Sequence, residues 1–302
     1  MKIVVAGGTG FIGAALIRNL QSRGHAVVLL TRASAKALDR SETVVWQPDA
    51  EPRPRPALVA AVNGADAVVN LAGEPIAGKR WTRAQKARLR SSRIDTTRTV
   101  VQAIADAQQK PRLLLNASAV GYYGPRGDEE ISEAEPPGMD FLSRLCREWE
   151  AEALRAEAHG VAVVRLRTGI VLGKGGGALA KMIPPFKLFI GGPLGSGRQW
   201  MPWIHLEDEV GLIEHLLAPG AGGAVNATAP EPVRMKEFCA ALGKALGRPS
   251  WAPVPAFVLR LAFGEMADVL LTGQRAVPSE AERRGYRFRY PTLPEALRDI
   301  VS

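Results

Sequence analysis

The N-terminal segment of the chain combines a short apolar run with a cluster of glycines. Residues 3–5 are typical of a buried strand, and an apolar pattern with helical spacing begins at Phe11. Between them, Gly7, Gly10 and Gly13 stand three residues apart. Glycines at this spacing permit a tight turn, the close approach of a pyrophosphate, and close packing of a helix on a strand. The segment therefore predicts a dinucleotide-binding turn whose helix directs free amides at the phosphates.

The end of the second predicted strand carries a cation rather than a carboxylate. In NAD enzymes a carboxylate in this region accepts a hydrogen bond from the adenosine ribose hydroxyl, but the first carboxylate after this strand is Asp39. Arg32 stands at the strand end instead, with Lys36 nearby. A guanidinium suits a 2′-phosphate through charge-assisted hydrogen bonds. The sequence therefore favours NADP (NADPH) over NAD, and the alternative is a surface arginine at a strand end.

Strand and helix patterns alternate over the first 170 residues. Further strands are predicted at 43–46, 66–71, 113–117 and 161–166, a loop at the proline-rich residues 48–56, and helices at 82–108 and 139–158. This alternation predicts an α/β fold with a doubly wound parallel sheet that binds its ligands at the carboxyl ends of the strands.

The alternation loosens beyond residue 170, where glycine-rich segments and shorter helical patterns follow. A helix is predicted over 178–188, interrupted by Pro184 and Pro185. We predict a dinucleotide-binding domain at 1–170, to which residues 200–228 return. A smaller, mostly helical lobe at 171–199 and 229–302 is predicted to close over the cofactor cleft.

Composition narrows the possible partners. The net charge of +9 is compatible with nucleic-acid binding, but no nucleic-acid module is present, and most of the basic residues at 79–98 are predicted to form a solvated helix face. No apolar run approaches the ~20 residues that span a bilayer. Cys146 and Cys239 form neither a disulfide framework nor a metal-ligand spacing. We predict a cytoplasmic protein with a small-molecule substrate and no metal, membrane or nucleic-acid partner.

Several stretches resemble the extended short-chain dehydrogenase/reductase superfamily, which includes nucleotide-sugar epimerases and dehydratases with a Rossmann fold. These stretches are residues 7–13, 70–73, 118–124 and 203–208. Along essentially its whole length, the chain also resembles a subgroup of atypical epimerase-family proteins that carries a C-terminal domain of unknown function. The stretches similar to that subgroup are residues 73–81, 118–124, 195–200, 226–230, 271–275 and 285–291.

The resemblance implies which residues contact the cofactor. The residues implied for the pyrophosphate are Gly7, Gly10, Phe11, Ile12 and Gly13, and the residue implied for the adenosine ribose is Arg32. The middle of the cofactor is assigned to Leu71, Ala72 and Gly73. The segment that lies beside the nicotinamide is Thr168, Gly169 and Ile170. Arg93 falls close to the cofactor, where the superfamily usually has asparagine. Ser118 matches the active-site serine.

The chain departs from the superfamily at its general acid/base. That group is a tyrosine with a lysine four residues later, whose cation lowers the phenol pKa so that the phenolate accepts a proton. No tyrosine of this chain has lysine at that spacing, and Leu142 and Cys146 stand at the two positions. Either another group transfers the proton, or no redox turnover occurs.

Tyr123 is the leading replacement, with a packing tyrosine as the alternative, and Tyr122 is a weaker candidate. Ser118 is able to polarise a substrate carbonyl or to cap its loop. Cys146 is more typical of a core cysteine than of an acid or nucleophile.

Other polar residues are assigned to the substrate. Glu74 and Arg93 lie near the predicted cleft, and either is able to hold substrate. Arg167 binds an anionic group or pairs with a carboxylate. His205 serves as an acid or caps a turn, and Asp208 begins or braces its helix.

Three hypotheses follow for function. The first is an NADP-dependent oxidoreductase or epimerase in which Ser118 and Tyr123 handle the substrate oxygen. The second is a cofactor-binding regulator that has lost the tyrosine–lysine pair, and the third, resting on charge alone, is a nucleic-acid binder. The superfamily also implies a possible homodimer through the helices at 82–108 and 139–158, although like charges on the first helix oppose this.

Overall fold

The computed structural model describes residues 1–32, 41–46 and 56–302, and a parallel sheet is its central element. Lys36, Asp39 and residues 48–55 of the predicted loop lie outside the described residues. The strands are β1 Lys2–Ala6, β2 Ala26–Thr31, β3 Glu42–Val45, β4 Ala67–Asn70, β5 Leu113–Ala119, β6 Glu130–Ile131, β7 Ala162–Thr168, β8 Ile170–Leu172, β9 Trp200–Met201, β10 Trp203–His205, β11 Gly223–Ala227, β12 Val233–Arg234 and β13 Arg275–Ala276.

The helices follow the predicted pattern with two differences. They are α1 Phe11–Ser22, α2 Pro56–Val62, α3 Arg83–Asp106, α4 Phe141–Leu154, α5 Leu179–Lys187, α6 Leu206–His215, α7 Met235–Leu246, α8 Ala256–Phe263, α9 Ala267–Leu271, α10 Ser279–Arg283 and α11 Leu293–Val301. Helix α2 was not predicted; it opens on Pro56, because proline's fixed φ and missing N–H are tolerated in a first helical turn. Helix α5 runs through Pro184 and Pro185 and ends within one turn of them, at Lys187.

Seven of these strands form one sheet in the order β11-β7-β5-β4-β1-β2-β3, with every neighbouring pair parallel. The strand order reverses between β1 and β4. Loops after these two strands leave in opposite directions, which opens a crevice at the carboxyl edge of the sheet. The predicted doubly wound parallel sheet is thereby confirmed.

Helices cover both faces of the sheet, because each buries one apolar stripe. Helices α1 and α6 pack on one face, where Leu16 and Ile213 belong to the same buried cluster. Helices α2 and α3 pack on the other, through Val62 and Ile104, and α4 joins them there through Ala153. The N-terminus of α1 and the middle of α3 consequently approach the crevice from opposite sides.

A second core lies in the C-terminal part of the chain. It joins α5, α7 and α11 through Phe186, Phe238 and Leu297, with Trp203 of β10 buried among them. The predicted helical content of this part is present, whereas the domain boundaries at 170, 199 and 228 stay a prediction. No helix in the described part of the chain is long and apolar enough to cross a membrane.

Candidate cofactor and substrate cleft

The glycine turn has the geometry that its spacing predicts. Gly7 adopts a φ of +79° directly after β1, and a Cβ there would lie 2.6 Å from the carbonyl carbon of Leu71. A Cβ on Gly13 would lie 2.3 Å from the carbonyl oxygen of Gly7. Side chains at these positions would therefore push α1 away from β1, and β1 away from the residues that follow β4.

The N-terminus of α1 presents free amides at the crevice. Its first helical hydrogen bond runs from the Ala14 amide to the Gly10 carbonyl at 2.9 Å, so the amides of Phe11, Ile12 and Gly13 precede the helical ladder. Gly10 supplies no side-chain cap, and the first turn contains no acidic residue. Free amides and the positive end of the helix dipole together make an anion-binding site.

The ring of Phe11 turns away from this site and packs under the loop at residues 173–177. Cβ atoms built on Gly173 and Gly176 would lie 2.9 Å and 2.4 Å from that ring. Only the backbone of Phe11 is therefore directed at the predicted pyrophosphate position. The loop itself is held against the start of α1.

Arg32 lies directly after β2 with an exposed side chain, beside the buried Thr31. Because β2 is adjacent to β1 in the sheet, Arg32 stands at the same edge as the glycine turn. No hydrogen bond or ion pair of Arg32 occurs within the described residues.

Buried amides fix the chain where β4 and β5 end. The Asn70 Nδ2 donates to Asn116 Oδ1 at 2.7 Å and to Thr97 Oγ1 at 3.0 Å, while its Oδ1 accepts from the Ala72 amide at 3.3 Å. This arrangement sets the path of Leu71, Ala72 and Gly73 along the edge of the sheet. Sequence reasoning did not assign this role to Asn70, because its partners are distant in the chain.

Arg93 extends from α3 into the space beside Gly73. A Cβ on Gly73 would lie 3.1 Å from Arg93 Cζ, and the guanidinium also lies 5.1 Å from the ring of Trp149. Arg93 is 7 % exposed, whereas Arg88 and Arg90 on the same helix are exposed. Arg93 therefore does not belong to the solvated basic face that was predicted for most of this stretch.

Thr168, Gly169 and Ile170 connect β7 to β8 at the same edge. The hydroxyl of Thr168 donates to Glu209 Oε1 at 2.8 Å, and burial raises the pKa of Glu209 to about 8. A Cβ on Gly169 would lie 2.4 Å from the carbonyl oxygen of Pro202, so this strand end packs directly against the segment before β10.

Ser118 and Tyr123 are sealed inside a hydrogen-bonded network rather than open to the cleft. Ser118 is 4 % exposed, and its hydroxyl donates to Glu150 Oε1 at 2.7 Å. Tyr123 is 0 % exposed; its hydroxyl donates to Asn226 Oδ1 at 2.6 Å and accepts from Arg167 Nη1 at 3.0 Å. Burial raises the pKa of Tyr123 to about 12. The geometry therefore favours the packing alternative for Tyr123.

Arg167 pairs with a carboxylate instead of facing a substrate. Its Nε and Nη2 contact Glu150 Oε1 and Oε2 at 2.8 Å and 2.9 Å, and the guanidinium stacks 3.6 Å from the ring centre of Tyr122. The geometry therefore favours the second interpretation of Arg167, a pair with a carboxylate, and its assignment to an anionic substrate stays a prediction. Glu150 could not be identified as the partner from sequence, because the two residues lie on different elements.

The positions of the superfamily's tyrosine and lysine are apolar here. Leu142 is half-buried, and Cys146 is a buried free thiol. Burial and the neighbouring Glu150 raise the pKa of Cys146 to about 12, so the thiol is neutral at ordinary pH. Cys146 is a core cysteine, as its pattern predicts.

The side chains of His205 and Asp208 are occupied by local structure, whereas Glu74 is bonded through its backbone amide. His205 Nδ1 caps α6 by accepting from the Glu207 amide at 3.1 Å. Asp208 accepts from the amides of Arg289 and Tyr290 at 2.7 Å and 2.9 Å, so it braces the segment before α11. The half-buried Glu74 stays at the cleft margin, with its amide bonded to Ser92 Oγ at 3.0 Å.

Replacing Tyr123 with phenylalanine is expected to lower the free energy of unfolding by about 1–3 kcal/mol, because Asn226 and Arg167 lose a buried partner. Urea denaturation measures this loss. Tyr122→Phe is the matched control: its hydroxyl has no hydrogen-bond partner in the described part of the chain, so its stability should stay unchanged. If Tyr123→Phe kept full stability and abolished a turnover found in the wild type, the packing interpretation would be wrong.

The sheet, the glycine turn and the C-terminal helices define a dinucleotide-binding protein of the extended short-chain dehydrogenase type. The family model for the NAD-dependent epimerase/dehydratase family matches residues 3–227, and that for a domain of unknown function, DUF1731, matches residues 254–300. The chain therefore belongs to the NAD-dependent epimerase/dehydratase family.

Relatives and a solved structure support this placement. The chloroplastic SDR39U1 homologue of Arabidopsis thaliana is 45% identical over 313 residues, covering 100% of this chain and 87% of the relative. An epimerase family protein of Mycobacterium bovis is 44% identical over 298 residues, covering 98% of this chain and 96% of the relative. The crystal structure of human epimerase family protein SDR39U1 (isoform 2) with NADPH is 38% identical, with a TM-score of 0.91 over 99% of both chains.

Proposed function

We propose that this protein binds NADP(H) at the carboxyl edge of its sheet and acts as an oxidoreductase or epimerase on a small substrate with a hydroxyl or carbonyl group. The observation that carries the proposal is the set of free amides at the N-terminus of α1, framed by Gly7, Gly10 and Gly13. Gly10 is exposed there, so a phosphate is able to approach the backbone. The residues present fit a dinucleotide.

The phosphorylated form of the cofactor is supported by Arg32. Its exposed guanidinium lies at the end of β2, beside the glycine turn, where it favours a 2′-phosphate over a free ribose hydroxyl. The human relative crystallised with NADPH agrees with this choice.

When bound, the nicotinamide would supply or accept a hydride. The residues of this chain would then hold the cofactor and orient the substrate. One side of the crevice is formed by the backbone of Leu71, Ala72 and Gly73. The end of β7, at Thr168, forms another part of its wall. A catalytic role for Ser118 and Tyr123 stays a prediction, which their buried hydrogen bonds do not favour.

A non-catalytic NADP(H)-binding regulator is the second candidate. It is favoured by Leu142 and by the neutral thiol of Cys146, which replace a proton-transferring pair. Oxidation of NADPH with a panel of small aldehydes, ketones and oxo acids separates the two candidates. Tight NADPH binding without any turnover across the panel would favour the regulator.

Arg32→Glu is expected to weaken NADPH binding about 100-fold, because it replaces the partner of the 2′-phosphate with a like charge, and to change NADH binding little. Titration followed by tryptophan quenching and nicotinamide emission measures both affinities. Arg18→Glu, on the exposed side of α1, is the control for the same change in net charge. Wild-type protein that bound NADH as tightly as NADPH would contradict the choice of cofactor, and no binding of either would refute the proposed function.

A further inference from the structure

Arg93 is a buried cation without an ion pair. It is 7 % exposed, and no carboxylate lies within 4.0 Å of it among the described residues. Within the described residues its one hydrogen bond runs from Nη1 to the carbonyl oxygen of Leu89, at 3.1 Å. Burial lowers the pKa of Arg93, while the neighbouring Cys146 and Glu74 act in the opposite direction. A guanidinium held in this way is destabilising unless an anion accompanies it.

The guanidinium has a free edge. Nε and Nη2 have no hydrogen-bond partner in the described part of the chain, yet neither is among the polar atoms sealed from solvent. Both are therefore at least slightly accessible to solvent. Gly73, which is exposed, lies over the face of the guanidinium, because a Cβ there would lie 3.1 Å from Cζ, 3.3 Å from Nη2 and 3.4 Å from Nη1.

The surroundings hold the guanidinium in place but do not neutralise it. The ring of Trp149 lies 5.1 Å from Arg93 Cζ. The ring is itself fixed, because Trp149 Nε1 donates a hydrogen bond to Thr97 Oγ1 at 2.9 Å. Cys146 is uncharged at ordinary pH, since its pKa is about 12. Glu74 contributes its field from the margin of the cleft without direct contact.

Arg93 approaches the crevice from the side opposite to the free amides of α1. Helix α1 packs on the opposite face of the sheet from α3 and α4, which hold Arg93. The hydroxyls of a ribose are neutral and leave a buried cation uncompensated. A planar carboxylate, by contrast, pairs with the Nε–Nη2 edge through two parallel charge-assisted hydrogen bonds.

We propose that the Nε–Nη2 edge of Arg93 binds a carboxylate of the substrate, which makes the substrate a small hydroxy or oxo acid. The inference deepens the proposed function and rests on it. Arg93 then supplies substrate selectivity from α3, at the edge of the sheet where β4 and β5 end.

The test compares a carboxylate with its neutral isostere. Oxamate and oxamide differ in the carboxylate alone, and calorimetric titration of the NADPH-saturated and cofactor-free protein measures both. We expect oxamate to bind roughly tenfold or more tightly than oxamide. Because Trp149 adjoins Arg93, its fluorescence should report oxamate binding, and Trp149→Phe should remove that signal.

The variants locate the site. Arg93→Met should weaken oxamate binding about 100-fold and NADPH binding far less, while Arg93→Lys keeps the charge but loses the fork and should recover only part of the oxamate affinity. Arg88→Met removes an exposed charge from the same helix and should change neither affinity. Removal of an unpaired buried cation should not lower the melting temperature. An unchanged melting temperature would show that Arg93→Met is folded.

Three outcomes would overturn the inference. The first is equal binding of oxamate and oxamide to the wild type, and the second is oxamate binding that Arg93→Met leaves intact. The third is a loss of NADPH affinity in Arg93→Met as large as its loss of oxamate affinity, which would assign Arg93 to the cofactor. Failure of the wild type to bind NADPH would refute the proposed function instead, and the cofactor-free titration would still decide whether Arg93 binds a carboxylate.

Discussion

Replacing Glu150 with alanine is expected to lower the free energy of unfolding by about 3–5 kcal/mol, because it leaves a buried guanidinium without its anion. Arg167 is 2 % exposed and holds Glu150 through two contacts at 2.8 Å and 2.9 Å. Ser118 adds a third bond to the same carboxylate at 2.7 Å, so the substitution breaks three buried hydrogen bonds together. Urea denaturation of the purified variant measures the loss.

Glu148→Ala is the matched control on the same helix. Glu148 pairs with Arg90 at 2.7 Å, but both side chains are about half exposed, at 44% and 54%. Water screens such a pair, so we expect its loss to change stability by about 0–1 kcal/mol. The double substitution Glu150→Leu with Arg167→Met should recover part of the stability, because it removes both charges. If Glu150→Ala cost no more than Glu148→Ala, the network around Ser118 and Tyr123 would not hold this part of the fold together.

Gly13→Ala is expected to damage the cofactor site and the packing of α1 at the same time. The new Cβ would lie 2.3 Å from the carbonyl oxygen of Gly7 and 2.6 Å from Gly8 Cα. Both are backbone atoms, so α1 or the turn must move. We expect a loss of about 1–3 kcal/mol in stability from overpacking. NADPH affinity should fall about 100-fold, because the amides of Phe11 and Ile12 are displaced from the phosphate.

The two readouts of Gly13→Ala separate packing from binding. NADPH titration is carried out where circular dichroism shows the variant folded, and thermal unfolding measures the stability. Gly222→Ala is the control, because a Cβ there meets its nearest atom, the carbonyl oxygen of Val163, at an ordinary 3.9 Å. A variant at Gly13 that bound NADPH like the wild type would show that the turn does not contribute to the cofactor site.

Local sequence patterns predicted the frame of the fold. Buried apolar runs end in small residues, and helical spacing resumes after them, so the strands and long helices were placed close to their observed bounds. The missed helix α2 is short and follows a proline-rich segment. Helix α3 illustrates the limit of such patterns: its basic residues look alike in sequence, yet Arg93 is buried and Arg88 is exposed.

Side-chain direction at the candidate site could not be predicted from sequence. Tyr122 and Tyr123 are neighbours on one short helical turn with rings 86° apart, so one hydroxyl is sealed in a network and the other has no partner in the described part of the chain. Which tyrosine is sealed depends on Asn226 and Arg167, far away in the chain. Likewise, Glu150 and Asn70 acquire their roles only when neighbouring strands and helices bring partners to them.

The sequence by itself determined the glycine turn, the parallel sheet and the absence of a tyrosine–lysine pair. The turn and the missing pair are local features, and the sheet follows from the order in which locally patterned strands and helices alternate, because backbone geometry and periodicity are short-range properties. The tertiary structure alone decided that Ser118, Tyr123 and Arg167 are buried partners, while Arg93 keeps a free edge at the cleft. Burial and pairing depend on elements that are distant in the chain and meet only in the folded protein, and the free energies of charges and hydrogen bonds follow from that environment.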